Sequence, residues 1–154
     1  MIINYDNIID SRLANVDEVI YHLANNIKTK IGVSEIDGIG VMAIRNIKKG
    51  EDVFPIWNFQ SGIYVIPNER LNEIPIEVLD LLHKYFINSE CGYKIFRLFQ
   101  GLNFLHHGTS YCNSAYKTKY TENISDDGIA LRDIQCGEEI LESYNENINL
   151  ENSK

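Results

Sequence analysis

The chain has 154 residues, with 14 Lys and Arg against 22 Asp and Glu, and a formal net charge of −8. A chain of this length usually forms one domain, and 44% hydrophobic with 23% charged residues is typical of a globular protein rather than a disordered one. The acidic balance argues against broad binding to nucleic-acid phosphates. No apolar run approaches the roughly 18 residues of a membrane span, and the first residues do not resemble a secretory signal.

Cysteine usage bears on compartment and on metal binding. The three cysteines, Cys91, Cys112 and Cys136, are odd in number and widely spaced. This pattern argues against a disulfide framework and favours a reducing, intracellular compartment, without choosing between cytoplasm and nucleus. His106 and His107 lie close to Cys112 and leave a metal-dependent protein open as an alternative. Structural zinc sites usually use two spaced ligand pairs, so we expect no metal here.

The first predicted element is an amphipathic helix. Apolar residues recur every three or four positions from Leu13 to Ile27, and this spacing predicts a helix that packs against the domain. Asn15 followed by Glu18 resembles a capping pair for the first turn of that helix. Residues 1–12 carry no clear pattern.

Short strands are predicted next. Within residues 29–57, β-rich runs alternate with the turn dipeptides Asp37-Gly38 and Lys49-Gly50. Glycine accepts positive φ without steric cost, so these dipeptides predict turns. The segment is therefore predicted to form three strands, and a further strand is predicted at 62–66.

The chain then returns briefly to helix. Pro67 and Pro75 punctuate residues 67–88, and the apolar face after Pro75 predicts a helix with this proline in its first turn. No internal repeat is evident. The remaining predicted strands are 91–99, 117–124 and 128–134.

The tripeptide Gly38-Ile39-Gly40 lies between two predicted strands. It lacks the third glycine and the strand-to-helix setting of a dinucleotide site. Two interpretations stay open. The tripeptide either forms a tight hairpin, or it marks a place where the backbone comes close to a ligand.

Three segments, taken together, resemble the motifs of one known family. The first is Gly38–Glu51, the second is Asn103–His107 with Asn113–Tyr116, and the third is Ala130–Tyr144. In order and spacing they resemble the opening glycine hairpin, the N-H segment and the closing R-D-I-x-x-G-E-E tyrosine motif of the SET-domain protein-lysine methyltransferases. The resemblance spans about residues 29–146.

The resemblance implies a mainly β fold with small helical additions. Several small sheets would form a β-clip-like arrangement, in which the C-terminal segment crosses under a preceding loop in a knot-like way. It implies an N-terminal helical extension at 1–28 and a SET domain at 29–147, with a variable insert at about 67–100. The hydrophilic residues 148–154 are expected to form a disordered tail.

The implied activity is transfer of a methyl group from S-adenosylmethionine to a lysine side chain. The reaction needs a neutral amine, and desolvation in an aromatic channel favours loss of its proton. Aromatic faces also stabilise methylammonium cations. By resemblance, Tyr144 and Tyr116 are the catalytic residues, and Trp57 and Tyr116 line the substrate channel. The cofactor-binding residues that the resemblance implies are Gly38, Ile39, Gly40, Asn103, Phe104, His106, His107 and Tyr144.

Other polar residues of the motifs are expected to have structural roles. Glu138 and Glu139 match the family's G-E-E turn, and neighbouring residues on a strand point to opposite faces. We therefore expect this pair to stabilise structure or to meet a basic peptide, rather than to act together in acid–base catalysis. Asn113 is expected to help fix the knot-like crossing.

Two positions differ from the family pattern. His106 stands where the family has asparagine, and Asn103 stands where many members have arginine. These differences leave open a non-catalytic SET-like module that binds a basic peptide or protein. In either case the net charge of −8 suits a lysine-containing basic partner such as a histone. Direct binding to nucleic acid or membrane is not expected, and the short segment after Tyr144 makes a homodimer a hypothesis to test.

Overall fold

The computed structural model describes residues 5–13, 15–58, 62–84, 87–90, 92–98, 101–105 and 111–144. Within these residues the chain forms small β-sheets with a few short helices, which confirms the mainly β prediction. No helix in the described ranges is long and apolar enough to cross a membrane. The knot-like crossing and the predicted domain bounds stay predictions.

The described elements are three α-helices, seven short strands and two 3₁₀ turns. The turns are Asn68–Glu73 and Leu102–Leu105. In chain order the helices and strands are α1 (Tyr5–Leu13), α2 (Val16–Asn25), β1 (Thr29–Val33), β2 (Ile39–Ala43), β3 (Ile63–Pro67), α3 (Ile76–Leu82), β4 (Ile87–Glu90), β5 (Tyr93–Arg97), β6 (Asn113–Ser114) and β7 (Glu139–Glu142).

Contacts divide the chain into two compact units. The first unit comprises residues 1–27 and 54–106, and the second comprises 28–53 and 107–154. The first unit holds an antiparallel sheet in the order β3-β5-β4. Ile9 of α1 is buried in one cluster with Val65 of β3 and Ile95 of β5. This apolar contact joins α1 to the sheet.

The first unit differs from the prediction at its helices. The helix expected from Leu13 is α2, which begins at Val16. α1 lies within the helical extension that the resemblance implies at 1–28, although residues 1–12 carry no clear periodic pattern. Asn15 precedes α2 but makes no capping hydrogen bond with its side chain, so the predicted capping pair is wrong. Pro75 precedes α3 instead of lying in its first turn. The strands predicted at 62–66 and 91–99 are confirmed as β3 and β5.

The second unit holds a sheet in the order β1-β2-β7-β6. β1 and β2 form an antiparallel hairpin, and β2 pairs with β7 so that Val41 lies opposite Ile140. The short strand β6 pairs with β7 in parallel, with Asn113 opposite Leu141. Residues that are more than 70 positions apart in the chain are therefore neighbours in one sheet.

Two turn segments of the second unit have the same sequence pattern. Residues 43–51 and 130–138 both read Ala-x-Arg-x-Ile-x-x-Gly-Glu. The sequence therefore contains an internal repeat, and the expectation of none was wrong. The repeat was hard to see because the two copies are far apart and identical at only five of nine positions.

The two copies bind each other through reciprocal hydrogen bonds, and we call them the reciprocal turn pair. The Ile47 N–H donates to the Ile134 carbonyl at 2.8 Å, and the Ile134 N–H donates back at 2.7 Å. Each Gly N–H of the pair donates to the opposite Ala carbonyl at 2.8 Å. These bonds satisfy the backbone N–H and carbonyl groups of the buried Ile47 and Ile134 in both directions.

Side chains repeat the same reciprocity. The Lys49 N–H donates to Asp133 Oδ1 at 2.9 Å, and the Cys136 N–H donates to Asn46 Oδ1 at 2.9 Å. Each copy thus supplies the side-chain acceptor that closes the other copy's turn. The positive φ of 88° at Gly50 and 91° at Gly137 explains why both turns carry glycine.

Three predicted strands are absent from the described residues of this unit. The third strand of 29–57 and the strands at 117–124 and 128–134 are replaced by isolated bridges. One bridge joins Ile47 to Ile134, and another joins Asp52 to Ile129. These β-rich runs pair with each other for one residue at a time, because the tight turns between them end each ladder.

We expect the reciprocal turn pair to be sensitive to small changes in its two buried isoleucines. Ile134→Val and Ile47→Val each remove one methylene, at positions that are 0% and 1% exposed. Each should lower the free energy of unfolding by about 0.5–1.5 kcal/mol. Urea denaturation measures this change. The exposed Lys48→Ala is the control and should stay within about 0.5 kcal/mol of the parent. Equal stability of all four proteins would contradict the assigned role.

Candidate functional site

The loop between β1 and β2 carries the predicted Gly38-Ile39-Gly40 tripeptide. Ser34 shapes this loop, because its N–H donates to the Gly38 carbonyl at 2.9 Å and its Oγ accepts the Ile36 N–H at 2.9 Å. Gly38 has a φ of 52°, which favours glycine. The hairpin interpretation of this tripeptide is therefore confirmed, and its contact with a ligand stays a prediction.

Gly40 is required for a different reason, which is close approach. A Cβ atom built on Gly40 would lie 2.2 Å from Glu139 Oε1. The backbone at Gly40 thus comes close to the Glu139 carboxylate on β7. No side chain larger than hydrogen fits here without moving Glu139.

Glu139 is the centre of a polar cluster that holds this loop. Its Oε2 accepts the Ser34 hydroxyl at 2.9 Å, and its Oε1 accepts the Asn113 amide at 2.9 Å. The same Asn113 Nδ2 donates to the carbonyls of Ile39 at 3.0 Å and Asp37 at 3.2 Å. We call Ser34, Gly40, Asn113 and Glu139 the Glu139 clamp. It joins the first, second and third sequence motifs.

The neighbouring carboxylate, Glu138, has different partners. It lies 3.2 Å from the Arg132 guanidinium and accepts the Gln135 N–H. Although burial acts to raise its pKa, the Gln135 and Arg132 hydrogen bonds outweigh that effect and lower the pKa of Glu138. The two carboxylates thus make separate hydrogen bonds, as expected for structural groups.

Tyr144 and Tyr116 are brought together by Ser114. The Ser114 Oγ accepts the Tyr144 N–H at 3.0 Å and the Tyr116 N–H at 3.1 Å. The Tyr144 phenol donates to the Cys112 carbonyl at 2.8 Å. Partial burial, followed by Glu142 and Cys112, raises the pKa of the Tyr144 phenol, so the phenol is protonated at neutral pH.

The rings of this segment face solvent. Tyr144 is 55% exposed and Tyr116 is 40% exposed. Tyr111, next to Cys112, is also exposed. The Lys117 ammonium lies 5.2 Å from the centre of the Tyr116 ring, so this ring already contacts a cation. We call Tyr111, Tyr116 and Tyr144 the tyrosine surface.

Trp57 and Asn103 belong to the first unit and contact each other. The backbone N–H of Trp57 donates to Asn103 Oδ1 at 2.7 Å, and the Asn103 Nδ2 donates to the backbone carbonyl of Trp57 at 2.8 Å. Trp57 is 8% exposed, with ring centres 5.0 Å from His22 and 6.4 Å from Tyr64. Trp57 is therefore a core residue of this unit, and its place in a substrate channel stays a prediction.

The remaining predicted residues are less well defined. Phe104 lies in the 3₁₀ turn Leu102–Leu105, and nothing is described of its side chain. His106 and His107 lie outside the described residues, so the proposed metal ligands Cys112, His106 and His107 are not described together. Among the described residues, no group of three or more His, Cys, Asp or Glu could hold a metal ion.

Sequence reasoning missed three contributors to the site. Ser34 and Ser114 organise the loop and the two tyrosines through their hydroxyl groups, and Tyr111 extends the tyrosine surface. The only signal for Ser114 and Tyr111 was their position within two residues of Asn113. Ser34 gave no signal, because its partner Glu139 is 105 residues away in the chain.

The Glu139 clamp predicts a measurable coupling between two positions. Gly40→Ala should lower the free energy of unfolding by about 1–3 kcal/mol, the usual cost of overpacking. In a Glu139→Ala background the same change should cost less, since the clashing oxygen is gone. A double-mutant cycle by urea denaturation gives the coupling. Gly38→Ala is the control for the coupling: its positive φ of 52° makes the substitution costly in itself, but a Cβ atom there meets nothing within 4 Å, so the cost should be the same with and without Glu139. A cycle without coupling at Gly40 would contradict the clamp.

The environment of Cys112 predicts selective alkylation. Burial, followed by Glu142 and Glu139, raises the pKa of the Cys112 thiol to about 12. At pH 8.5 its thiolate fraction is then about a thousand times smaller than that of an ordinary thiol. Iodoacetamide should modify the exposed Cys136 in the folded protein and spare Cys112 until denaturant is added. Peptide mass spectrometry resolves the two sites, and equal rates of modification would refute this expectation.

Comparisons with known proteins do not establish a family. No known protein-family profile matches the chain. No curated protein matches it either. Among solved structures, the chain is similar to a Plasmodium falciparum protein named "putative histone methyltransferase", with 25% identity over 77% of this chain and 94% of that chain and a TM-score of 0.32. A TM-score of this size is too low to show a shared fold.

Proposed function

We propose that this protein is a SET-domain protein-lysine methyltransferase that uses S-adenosylmethionine. The observation that carries the proposal is that, in the second unit, the first and third sequence motifs are joined to the Asn113–Tyr116 part of the second motif. The Glu139 clamp links the Gly38–Gly40 loop to Asn113 and to β7, and Ser114 links Tyr116 to Tyr144. These are the segments whose order and spacing resemble the family. The knot-like crossing is part of this proposal.

The chain's own groups have the chemistry that a cationic cofactor and substrate require. The rings of the tyrosine surface offer negative faces to a cation, and the Lys117 ammonium already uses one of them. The backbone of the Gly38–Gly40 loop is exposed at Gly38, where a Cβ atom would meet nothing within 4 Å, whereas Gly40 is covered by Glu139. These features fit S-adenosylmethionine, which would supply a methyl group on a positively charged sulfur.

Tyr144 would orient the substrate amine. Its hydroxyl proton is donated to the Cys112 carbonyl, so the oxygen lone pairs can accept a hydrogen bond from an amine N–H. A phenol is protonated at neutral pH, and partial burial, which raises the pKa of Tyr144, favours the same form. Tyr116 would then face the amine's methyl groups with its ring. By resemblance, Ile39, Asn103, Phe104, His106 and His107 would complete the cofactor site.

The proposed substrate is a lysine-containing basic protein or peptide, of which a histone is one example. The support is the net charge of −8, which favours encounter with a basic partner. The intracellular compartment and a homodimer are parts of the same proposal that rest on sequence pattern alone.

A second candidate is a module of the same fold that binds a basic peptide without methyl transfer. The observation that favours it concerns Asn103. Both ends of its amide are bound to the Trp57 backbone, and an asparagine carries no positive charge for a cofactor carboxylate. The two candidates differ in whether S-adenosylmethionine binds.

Calorimetry and a methyl-transfer assay on lysine-rich peptides test the proposal together. The parent protein should bind S-adenosylmethionine at one site and transfer its methyl group. Tyr144→Phe should retain cofactor binding but lose about a hundredfold or more in rate, the usual effect of removing an orienting or proton-handling group. Tyr21→Phe is the matched control, because Tyr21 is an exposed tyrosine on α2. Its rate should match the parent.

Two outcomes would overturn the proposal. Unchanged turnover in Tyr144→Phe would remove the catalytic assignment of Tyr144. Absence of cofactor binding by the parent, with binding of a basic peptide retained, would favour the second candidate.

A further inference from the structure

The second unit contains a concavity that the proposed function does not use. Its volume is about 310 Å³, which is at the lower end of ligand pockets. Its walls come from β1 and β2, from residues 120–123 and from the region around β7. None of the predicted catalytic, channel or cofactor residues lines it.

One part of the wall is apolar. Val33, Met42 and Leu141 contribute aliphatic surface, and Tyr120 contributes to the lining as well. Val33 is 86% exposed at the end of β1. Such an exposed apolar side chain at the edge of a pocket would gain from contact with an aliphatic chain.

The charged part of the wall is mostly acidic. Glu35, Glu138 and Glu139 line the concavity together with one cation, Arg132, so the formal charge of the lining is −3 + 1 = −2. Arg132 lies 3.2 Å from Glu138 and is therefore already paired. Among the described residues, Glu35 and Glu139 form no ion pair.

The hydrogen bonds of these two carboxylates come from neutral groups. Glu35 accepts the Tyr120 hydroxyl, and Glu139 accepts the Ser34 hydroxyl and the Asn113 amide. Neutral donors orient a carboxylate but do not compensate its charge. A further cation beside the wall is Lys119, whose ammonium lies 5.2 Å from the centre of the Tyr120 ring. Including Lys119, the formal charge is −2 + 1 = −1, which still favours a cationic occupant.

We propose that this concavity binds the side chain of an arginine from a partner peptide. An arginine has an aliphatic stem that suits Val33 and Met42, and a charged head that suits Glu35 and Glu139. Its planar guanidinium binds carboxylates at two points and loses hydration more readily than an ammonium. As a docking site for a basic substrate, the inference rests on the proposed function. Its test uses neither cofactor nor turnover, so the two can fail separately.

Met42 provides a probe inside the concavity. The sequence contains only two methionines, Met1 and Met42. In protein labelled with ¹³C at the methionine methyl groups, each gives one signal, and Met42→Leu identifies the Met42 signal. Titration with Nα-acetyl-arginine amide should shift that signal in a saturable way. The neutral citrulline analogue, which keeps the length and shape, should not shift it.

A charge variant tests the acidic wall. Glu35→Gln keeps an acceptor for the Tyr120 hydroxyl and removes the charge, so it should weaken binding of the arginine amide by about threefold to fivefold, the effect of one exposed ion pair. Glu122→Gln removes a charge outside the concavity and should leave the affinity unchanged. Urea denaturation checks that both variants fold as the parent does.

Three results would overturn the inference. They are a Met42 signal that does not respond, an equal response to citrulline, and a Glu35→Gln variant that folds normally and binds with the parent's affinity. Binding of the arginine amide without any methyl-transfer activity would support the concavity and count against the proposed function alone.

Discussion

The second unit depends on the mutual hydrogen bonding of the reciprocal turn pair. Each copy provides three hydrogen-bond acceptors to the other. They are a backbone carbonyl for the isoleucine N–H, a second carbonyl for the glycine N–H, and a side-chain oxygen for the N–H of the residue before that glycine. Neither segment supplies these acceptors to itself, because each acceptor lies in the other segment. The two segments therefore stabilise each other. The pair sets where β2 meets β7.

The pairing register of β2 with β7 decides which polar side chains meet on this sheet. With Val41 opposite Ile140, Glu139 lies diagonal to Gly40 on the same face of the sheet. The missing side chain at Gly40 leaves room for the carboxylate, and Asn113 and Ser34 supply its hydrogen bonds. A buried amide, that of Asn123, donates to the Glu139 carbonyl and accepts the Leu141 N–H. Buried polar groups here are tied to both β7 and the β1–β2 loop.

Glu139 connects the two surfaces for which we propose roles. Through Asn113 it holds the Gly38–Gly40 loop beside the segment that carries Tyr116, and it also lines the acidic concavity. The tyrosine surface offers aromatic faces, whereas the concavity offers carboxylates and aliphatic side chains. A basic, lysine-containing segment has the chemistry to meet both. A substitution at Glu139 would disturb both surfaces, which is why Glu35 and Tyr144 separate them better.

The sequence by itself determined the short-range features of this protein. The spacing of the hydrophobic residues and the turn residues were enough to predict the β1–β2 hairpin, β3, β5 and the apolar face of α2. The order of the three motifs pointed to Gly40, Asn113 and Tyr144. Only the tertiary structure decided that the β-rich runs at 117–124 and 128–134 form single bridges, that Trp57 is a core residue, and that Gly40 makes room for Glu139. The physical reason is that hydrophobic period and glycine turns act over a few residues. The hydrogen-bond partners of the Glu139 carboxylate and of the turn N–H groups come from chain segments 84 to 105 residues away.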